Sequence, residues 1–329
     1  MTRKQTVYRK GLKILKATVG VESNQEELLP QFPFKIEVKS LLTDFRDVER
    51  IKYSENLDGY ISIEESSHGP SFKFLGDQAL FRGPFVKLAE EASDLRFSLW
   101  GNQGFLYRFI LYLLEKKHRI YNFHACALYN EQKGRLYIVI GGAGSGKTVY
   151  LLSGLTKGLK LFSTETVHFR IEKDFISWFK GSLVDNIRLG NLIDHFPQFL
   201  PEMEYKKNGK EWQQKIALDL SFYSTDFDRL ENQGEVVIIF PRIEEGRKGF
   251  VLNSFDDKRK AARALFENIS QKLTETFILY DKIPVLGIDE QEMADARLKA
   301  VNQVANHKTV IKMASMLSNP YDCWGHLLD

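Results

Sequence analysis

The segment LYIVIGGAGSGKTVYLLSGL, residues 136–155, constrains the fold more than any other part of the chain. Its centre matches the pattern G-x-x-x-x-G-K-[ST] through Gly141, Gly146, Lys147 and Thr148. An apolar run precedes the glycines, and apolar residues at helical spacing follow them. This order predicts a buried β-strand, a tight loop and an α-helix that begins at the loop.

The residue types of this pattern suit the binding of phosphate groups. Glycines allow backbone N–H groups to turn inward around an anion, and the N-terminus of the following helix adds partial positive charge. Lys147 would neutralise the terminal phosphates, and the hydroxyl of Thr148 would bind magnesium. We therefore predict an ATP site with Mg²⁺; the structural alternative is a glycine-rich turn beside a solvated lysine. The residues predicted to hold the nucleotide are Gly141, Gly142, Ala143, Gly144, Ser145, Gly146, Lys147 and Thr148.

The rest of the chain predicts an α/β protein. Stretches of alternating polarity within residues 34–98, such as FKIEVKSL, GYISIEES, QALFRG and LRFSLW, indicate a small, mainly antiparallel β-rich region. A helix, two strands joined by a turn, the loop, and a further helix and strand follow. That order argues for a sheet with helical cover. The predicted domains are a β-rich region at residues 1–98 and a nucleotide-binding domain at residues 99–329.

Composition narrows the classes of partner. Among the 329 residues, 46 Lys and Arg stand against 43 Asp and Glu, and the basic residues are scattered, so we expect no nucleic-acid partner. No apolar run approaches the length of a membrane span, and the basic N-terminus lacks the apolar core of a signal peptide. We therefore expect no membrane span and a cytoplasmic location. Cys126 and Cys323 are too few for a disulfide framework and lack metal-ligand spacing.

Residues 124–169, HACALYNEQKGRLYIVIGGAGSGKTVYLLSGLTKGLKLFSTETVHF, resemble the phosphate-loop domain of HPr kinase/phosphorylase and of the related phosphoenolpyruvate carboxykinases. In that family a histidine opens a hairpin into the loop, and a later strand leads to two adjacent acids. The resemblance continues more loosely through GSLVDNIRLGNLIDHFPQF and VVIIFPRIEEG. It implies a mixed β-sheet with flanking helices and transfer of the γ-phosphate of ATP to a hydroxyl. HPr kinases assemble into hexamers, and a homo-oligomer is left open here.

The resemblance also implies roles for single residues. His124 matches the family histidine that faces the transferred phosphate, and Glu165 matches the second acid, whose place at a strand end suits a magnesium ligand. Thr164 stands where the kinases carry the first acid, the base that takes a proton from the acceptor hydroxyl. Val149 stands where they carry a glutamate after the loop hydroxyl residue. The predicted metal ligands are thus Thr148 and Glu165.

Since threonine cannot act as a base near neutral pH, three interpretations stay open. Positioning and charge stabilisation could suffice for transfer without a base. The base could instead be Asp185 or His124, provided that either lies within hydrogen-bond reach of the acceptor. Transfer could also have been lost, which would leave a nucleotide-binding regulatory or scaffold protein. With Glu165 beside the metal, simple ATP hydrolysis is conceivable as well.

Two further segments hold candidate side chains. Asp185 and Arg188 lie close together in LVDNIR, where they would bind metal and acceptor or else form a turn. Arg242 follows the apolar stretch VVIIFP and would clamp a phosphate or carboxylate or else lie at the surface. The sequence thus predicts an ATP- and Mg²⁺-dependent kinase that acts on a serine of a protein or peptide, or on a small hydroxylated metabolite. Its predicted catalytic residues are His124, Lys147, Glu165 and Asp185.

Overall fold

A mixed β-sheet forms the centre of each of two units of the chain. The computed structural model describes residues 6–31, 45, 48–142, 144–201, 209–231 and 234–328. The first unit contains Met1–Ile120 and Ser270–Ala294, and the second contains Tyr121–Ile269 and Asp295–Asp329. The division into residues 1–98 and 99–329 stays a prediction; the first unit reaches further along the chain and includes a second segment.

The helices and strands of the N-terminal part belong to the first unit. They are β1 (Tyr8–Ile14), β2 (Ala17–Ser23), β3 (Val48–Ile51), β4 (Gly59–Glu65), β5 (Ser71–Phe74), β6 (Gln78–Gly83), α1 (Phe85–Glu91) and α2 (Phe105–His118). The strands form one sheet in the order β3-β1-β2-β4-β6-β5.

This first sheet is mixed, which differs from the mainly antiparallel region predicted. β2 pairs in parallel with β4, and β4 pairs in parallel with β6, while the outer pairings are antiparallel. The reason is that alternating polarity identifies a strand but not its partner. LRFSLW is also not a strand: Leu95–Phe97 form a 3₁₀ helix, whose start Asp94 caps by accepting the N–H of Arg96 at 3.0 Å. FKIEVKSL lies outside the described residues.

The second unit holds the predicted loop and most of the remaining elements. In chain order these are β7 (Tyr121–Asn130), β8 (Arg135–Ile140), α3 (Lys147–Thr156), β9 (Lys160–Ser163), β10 (Thr166–Ile171), β11 (Ile176–Phe179), β12 (Val184–Arg188), α4 (Leu189–Asp194), β13 (Lys215–Asp219), β14 (Arg229–Leu230), β15 (Glu235–Ile243) and β16 (Val251–Ser254). The last elements of the chain are α5 (Lys258–Thr274), β17 (Phe277–Leu279), β18 (Ile283–Val285), α6 (Gln291–Asn306) and β19 (Val310–Ser318). β17 and β18 form an antiparallel pair in the first unit.

The sheet of the second unit is covered by helices on both faces. Its strands follow the order β14-β11-β10-β7-β8-β15-β19-β16, with β9 also paired to β7, and β8, β15 and β19 run parallel at its centre. One face packs on α5 and α6 through residues such as Leu265 and Val301. The opposite face packs on α3 through residues such as Leu151 and Leu155. The predicted α/β class, with mixed sheets and flanking helices, is confirmed.

A partly buried acid, Asp58, connects three parts of the first unit. The carboxylate of Asp58 accepts hydrogen bonds from the N–H and the hydroxyl of Thr18, at 2.8 and 2.9 Å, and lies 2.9 Å from Nε2 of His118 at the end of α2. Burial opposes ionisation of Asp58, but the hydrogen bonds from His118 and Thr18 outweigh it and lower the pKa of the carboxyl. Asp58 therefore stabilises the fold in its charged form.

We expect Asp58→Asn to lower the free energy of unfolding at pH 7 by about 1–2 kcal/mol, because hydrogen bonds to a charged group are lost. Since the folded pKa lies below the unfolded value, the stabilisation is present above the unfolded pKa of about 4 and is lost as the pH falls through the folded pKa. Chemical denaturation between pH 7 and pH 2 would measure it. Asp77→Asn, which breaks the exposed pair with Lys117, is the control. A deficit that persists undiminished at pH 2 would contradict the prediction.

Candidate functional site

The glycine loop, residues 141–146, connects β8 to α3. Gly144 and Gly146 have φ values of 79° and 102°, in the left-handed region that favours glycine. A Cβ on Gly146 would lie 2.4 Å from Cγ1 of Ile243, at the end of β15, so a larger residue would displace the loop. Ala143 lies outside the described residues. The loop thus turns tightly into the first turn of α3.

Lys147 is the first residue of α3 and folds back over the loop. Its Nζ donates hydrogen bonds to the carbonyl oxygens of Gly141 and Gly142, at 2.7 and 3.3 Å, and lies 3.2 Å from Nε2 of His124. Gly146 is the N-cap of the helix, and the carbonyl of that glycine accepts the N–H groups of Val149 and Tyr150. The first N–H groups of a helix have no partner within the helix, so they are directed at the same region as the ammonium.

Strand pairing brings His124 to the loop. β7 runs antiparallel to β8, with Ala125 opposite Ile140, and the N–H of Gly141 donates to the carbonyl of His124 at 3.4 Å. Asn268 of α5 also binds the backbone of His124. The side-chain amide of Asn268 accepts the N–H of His124 at 2.9 Å and donates to the carbonyl of His124 at 3.3 Å. The middle of β7 is therefore fixed beside the end of β8.

Glu165 lies next to His124 because β10 pairs with the other edge of β7. Thr166 is opposite His124, and the N–H of Ala125 donates to the carbonyl of Glu165 at 3.0 Å. Oε2 of Glu165 is 3.3 Å from Nε2 of His124. Burial opposes the charge of this carboxylate, but the hydrogen bond with His124 and the charge of Lys147 outweigh burial and lower the pKa of Glu165 to about 2. Glu165 is thus an anion at neutral pH.

Asp185, on β12, completes the cluster from a separate two-stranded sheet in which it pairs with Leu218 of β13. It is 2% exposed, and its carboxyl is hydrogen-bonded to that of Glu165. Burial, and then the negative charge and hydrogen bond of Glu165, raise the pKa of Asp185 well above its usual value, although Lys147 opposes this. A protonated Asp185 therefore donates to the Glu165 carboxylate. Its Oδ1 has no hydrogen-bond partner among the described residues.

The hydroxyl of Thr164 contacts the backbone at the start of β12. Thr164 is 1% exposed, and its hydroxyl lies 3.1 and 2.8 Å from the carbonyl oxygens of Ser182 and Val184. No pattern in the sequence indicated this contact, since neither Ser182 nor the adjacent Gly181 carries a recognisable signature. The position that the family resemblance assigns to a base is filled here by a donor to the backbone.

The other predicted residues contribute less to this geometry. Thr148 lies half-buried in the first turn of α3, and the buried Oγ of Ser145 has no hydrogen-bond partner among the described residues. The side chain of Arg242 is 77% exposed and forms an ion pair with Glu244 at 3.4 Å. β15 runs on to Ile243, so Arg242 belongs to that strand and does not follow it.

A magnesium ion would need help from the nucleotide in this cluster. Within the described part of the chain, no group of three or more His, Cys, Asp or Glu residues could hold a metal by itself. Mg²⁺ is usually bound through one or two carboxylates together with substrate phosphates and water. The ionised carboxylate of Glu165 and the hydroxyl of Thr148 fit that requirement.

Comparison with known proteins gives a distant structural likeness. No model of a known protein family matches the chain, and no curated protein matches it. The structure of the Hpr(Ser) kinase/phosphatase from Coxiella burnetii is 14% identical to this chain, with a TM-score of 0.23, and the match covers 57% of this chain and 95% of that protein. The described residues contain no helix long and apolar enough to cross a membrane.

We expect Asp185→Asn to be more stable than the wild type at neutral pH. The side-chain amide of the Asp185→Asn variant can donate to Glu165 without any change in protonation. In the wild type, Asp185 has to bind a proton on folding before it can donate to Glu165. Because the folded pKa of Asp185 lies above the unfolded value of about 4, its contribution is fully present below pH 4 and is lost as the pH rises towards the folded pKa, at about 1.4 kcal/mol per pH unit.

Thermal unfolding of the wild type and Asp185→Asn between pH 4 and pH 8 would test this. The gain in Tm should grow with pH. Asp219→Asn, which alters an exposed carboxylate on β13, is the matched control. A wild type that becomes more stable than Asp185→Asn as the pH rises would contradict a protonated Asp185.

Proposed function

We propose that this protein is an ATP- and Mg²⁺-dependent phosphotransferase that transfers the γ-phosphate to a hydroxyl, as the resemblance to HPr kinases suggests. One observation supports the proposal most: Lys147, His124, Glu165 and Asp185 converge beside a glycine loop that leads into a helix. Lys147, His124 and Asp185 lie on α3, β7 and β12, and Glu165 lies between β9 and β10. The convergence is therefore a property of the fold and not of one segment. The glycine loop alone would suit kinases, switches and ATPases alike.

The loop and Lys147 would bind the phosphates. The ammonium of Lys147 now donates to two loop carbonyls, and a bound phosphate oxygen would replace those weaker neutral acceptors. Gly141–Gly146 would add backbone N–H groups, and α3 the partial charge of its N-terminus. Thr148 and Glu165 would hold Mg²⁺, which supplies charge neutralisation for the phosphoryl group. His124 would stand beside the transferred group, next to Lys147.

Asp185 is the proposed base in place of the acid that Thr164 replaces. The acceptor oxygen would form a bond to the γ-phosphorus while the bond to the bridging oxygen of ADP breaks, and the acceptor proton would pass to Asp185. This step requires ionised Asp185, a form that the positive charge of Lys147 favours. The acceptor class stays as predicted, a serine of a protein or peptide or a small hydroxylated metabolite. The cytoplasmic location and a homo-oligomer are likewise predictions.

A second candidate function is nucleotide binding without transfer. It is favoured by two features, Thr164 at the place of the family's base and the protonated state of Asp185. Simple ATP hydrolysis stands between the two candidates, because water could take the place of the acceptor. Binding and transfer therefore have to be measured separately.

The test follows label from γ-phosphate-labelled ATP in the presence of Mg²⁺, with a cell extract as the source of acceptors. We expect Lys147→Ala to lose both binding and transfer, and Asp185→Asn to bind ATP while transfer falls by about 10²–10⁴-fold, the usual effect of losing a general base. Chelation of Mg²⁺ should abolish transfer. Lys157→Ala, at the exposed C-terminal end of the same helix, is the control for Lys147.

Each outcome separates the candidates. A labelled acceptor that forms with the wild type but not with Lys147→Ala or Asp185→Asn would support a kinase. Release of labelled free phosphate without a labelled acceptor would support an ATPase. Tight ATP binding without label transfer or hydrolysis would favour the binding protein. Wild type that does not bind ATP would refute all three.

A further inference from the structure

The hydroxyl of Thr164 joins the backbone beside one carboxyl of the cluster to the backbone beside the other. Thr164 immediately precedes Glu165, and Val184 immediately precedes Asp185. The hydroxyl lies 2.8 Å from the carbonyl of Val184, and the N–H of Thr164 donates to the carbonyl of Ser182 at 2.9 Å. The link between residues 164 and 184 thus places residues 165 and 185 side by side.

The segment that enters β12 is fixed from several sides. Ser182, 1% exposed, accepts the N–H of Val184 through Oγ at 3.1 Å. A Cβ on Gly181 would lie 1.9 Å from the carbonyl oxygen of Thr166, so the two backbones approach as closely as only glycine allows. On the side of β13, the N–H of Leu220 donates to the carbonyl of Leu183 at 2.9 Å. Thr164 supplies a side-chain hydrogen bond that ties this segment to the connection between β9 and β10, where Glu165 lies.

We propose that Thr164 is a positioning residue whose hydroxyl holds Asp185 against Glu165 for phosphate transfer. This inference rests on the proposed function, and it gives Thr164 a role different from that of the acid it replaces. An ionised aspartate at the same place would have no proton to donate to the carbonyls of Ser182 and Val184, and its carboxylate would add further acceptor oxygens beside them. Thr164→Asp should therefore lower both stability and transfer.

Two variants separate the hydroxyl from the shape of the side chain. Thr164→Val keeps the volume and loses the donor, whereas Thr164→Ser keeps the donor. We expect Thr164→Val to lower kcat by about 10- to 100-fold, the usual effect of losing an outer partner of a site, with an unchanged Kd for ATP. Thr164→Ser should restore kcat. Hydrogen exchange at the amides of β12 should accelerate in Thr164→Val alone.

Thr225→Val is the matched control, because the buried hydroxyl of Thr225 also donates to a carbonyl, that of Phe227 at 3.0 Å, outside the cluster. It should lose a similar amount of stability and leave kcat unchanged. Should Thr164→Val fail to fold, Thr164→Ala removes the same donor and leaves room for a water molecule at the two carbonyls.

The outcomes distinguish this inference from the proposed function. An active wild type with equal kcat in Thr164→Val and Thr164→Ser would overturn the positioning role alone, as would an equal loss in Thr225→Val or higher transfer in Thr164→Asp. A wild type with neither transfer nor hydrolysis would overturn the proposed function and the positioning role with it.

Discussion

The two edges of β7 are both hydrogen-bonded, and these bonds determine where the candidate side chains meet. β8 on one edge brings the glycine loop to the middle of β7, and β9 and β10 follow one another along the other edge. Thr164 and Glu165 lie in the break between β9 and β10. Because neither residue belongs to a strand there, the side chain of Thr164 can contact Val184 while that of Glu165 contacts His124. Along β7, successive side chains point to opposite faces of the sheet. Cys126 and Leu128 belong to the core on the α3 side, so His124, two residues before Cys126, faces the loop.

Charge balance explains why the cluster is stable before it holds any nucleotide. Lys147 contributes one positive charge and Glu165 one negative charge, and protonation of Asp185 removes the second negative charge that the buried site would otherwise carry. Cys126 lies close by, but burial raises the pKa of its thiol, so the thiol adds no charge. A polyphosphate would upset this balance with several negative charges. Binding of a nucleotide therefore requires a cation as well as Lys147, which agrees with the proposed need for Mg²⁺.

The sequence predicted the parts of the structure that depend on neighbouring residues. β7, β8, the loop and α3 lie within one continuous segment, where the apolar pattern and the glycines determine the local conformation. The parallel pairings of the first sheet were missed because they join strands that are separated along the chain. Asp185 was named as a candidate base, but its contact with Glu165 could not be derived, since among the described residues β12 pairs with β13 alone and joins neither large sheet. The hydrogen-bond acceptors of the Thr164 hydroxyl could not be derived either, because they are backbone carbonyls, which every residue has and no sequence pattern marks.

Burial of the site explains why a threonine at position 164 occurs together with an aspartate at position 185. Thr164 and Asp185 are 1% and 2% exposed, so neither side chain can relieve a charge by turning to solvent. A third carboxyl beside Glu165 and Asp185 would need a further proton or a further cation, and Lys147 is the basic side chain whose charge acts on both acids. A neutral donor at position 164 avoids that cost, and its hydroxyl lies within hydrogen-bond distance of the carbonyl oxygens of Ser182 and Val184. Under the proposed function, the proton-accepting role and the threonine are therefore two parts of one arrangement: the acid lies on β12, and the hydroxyl holds it there.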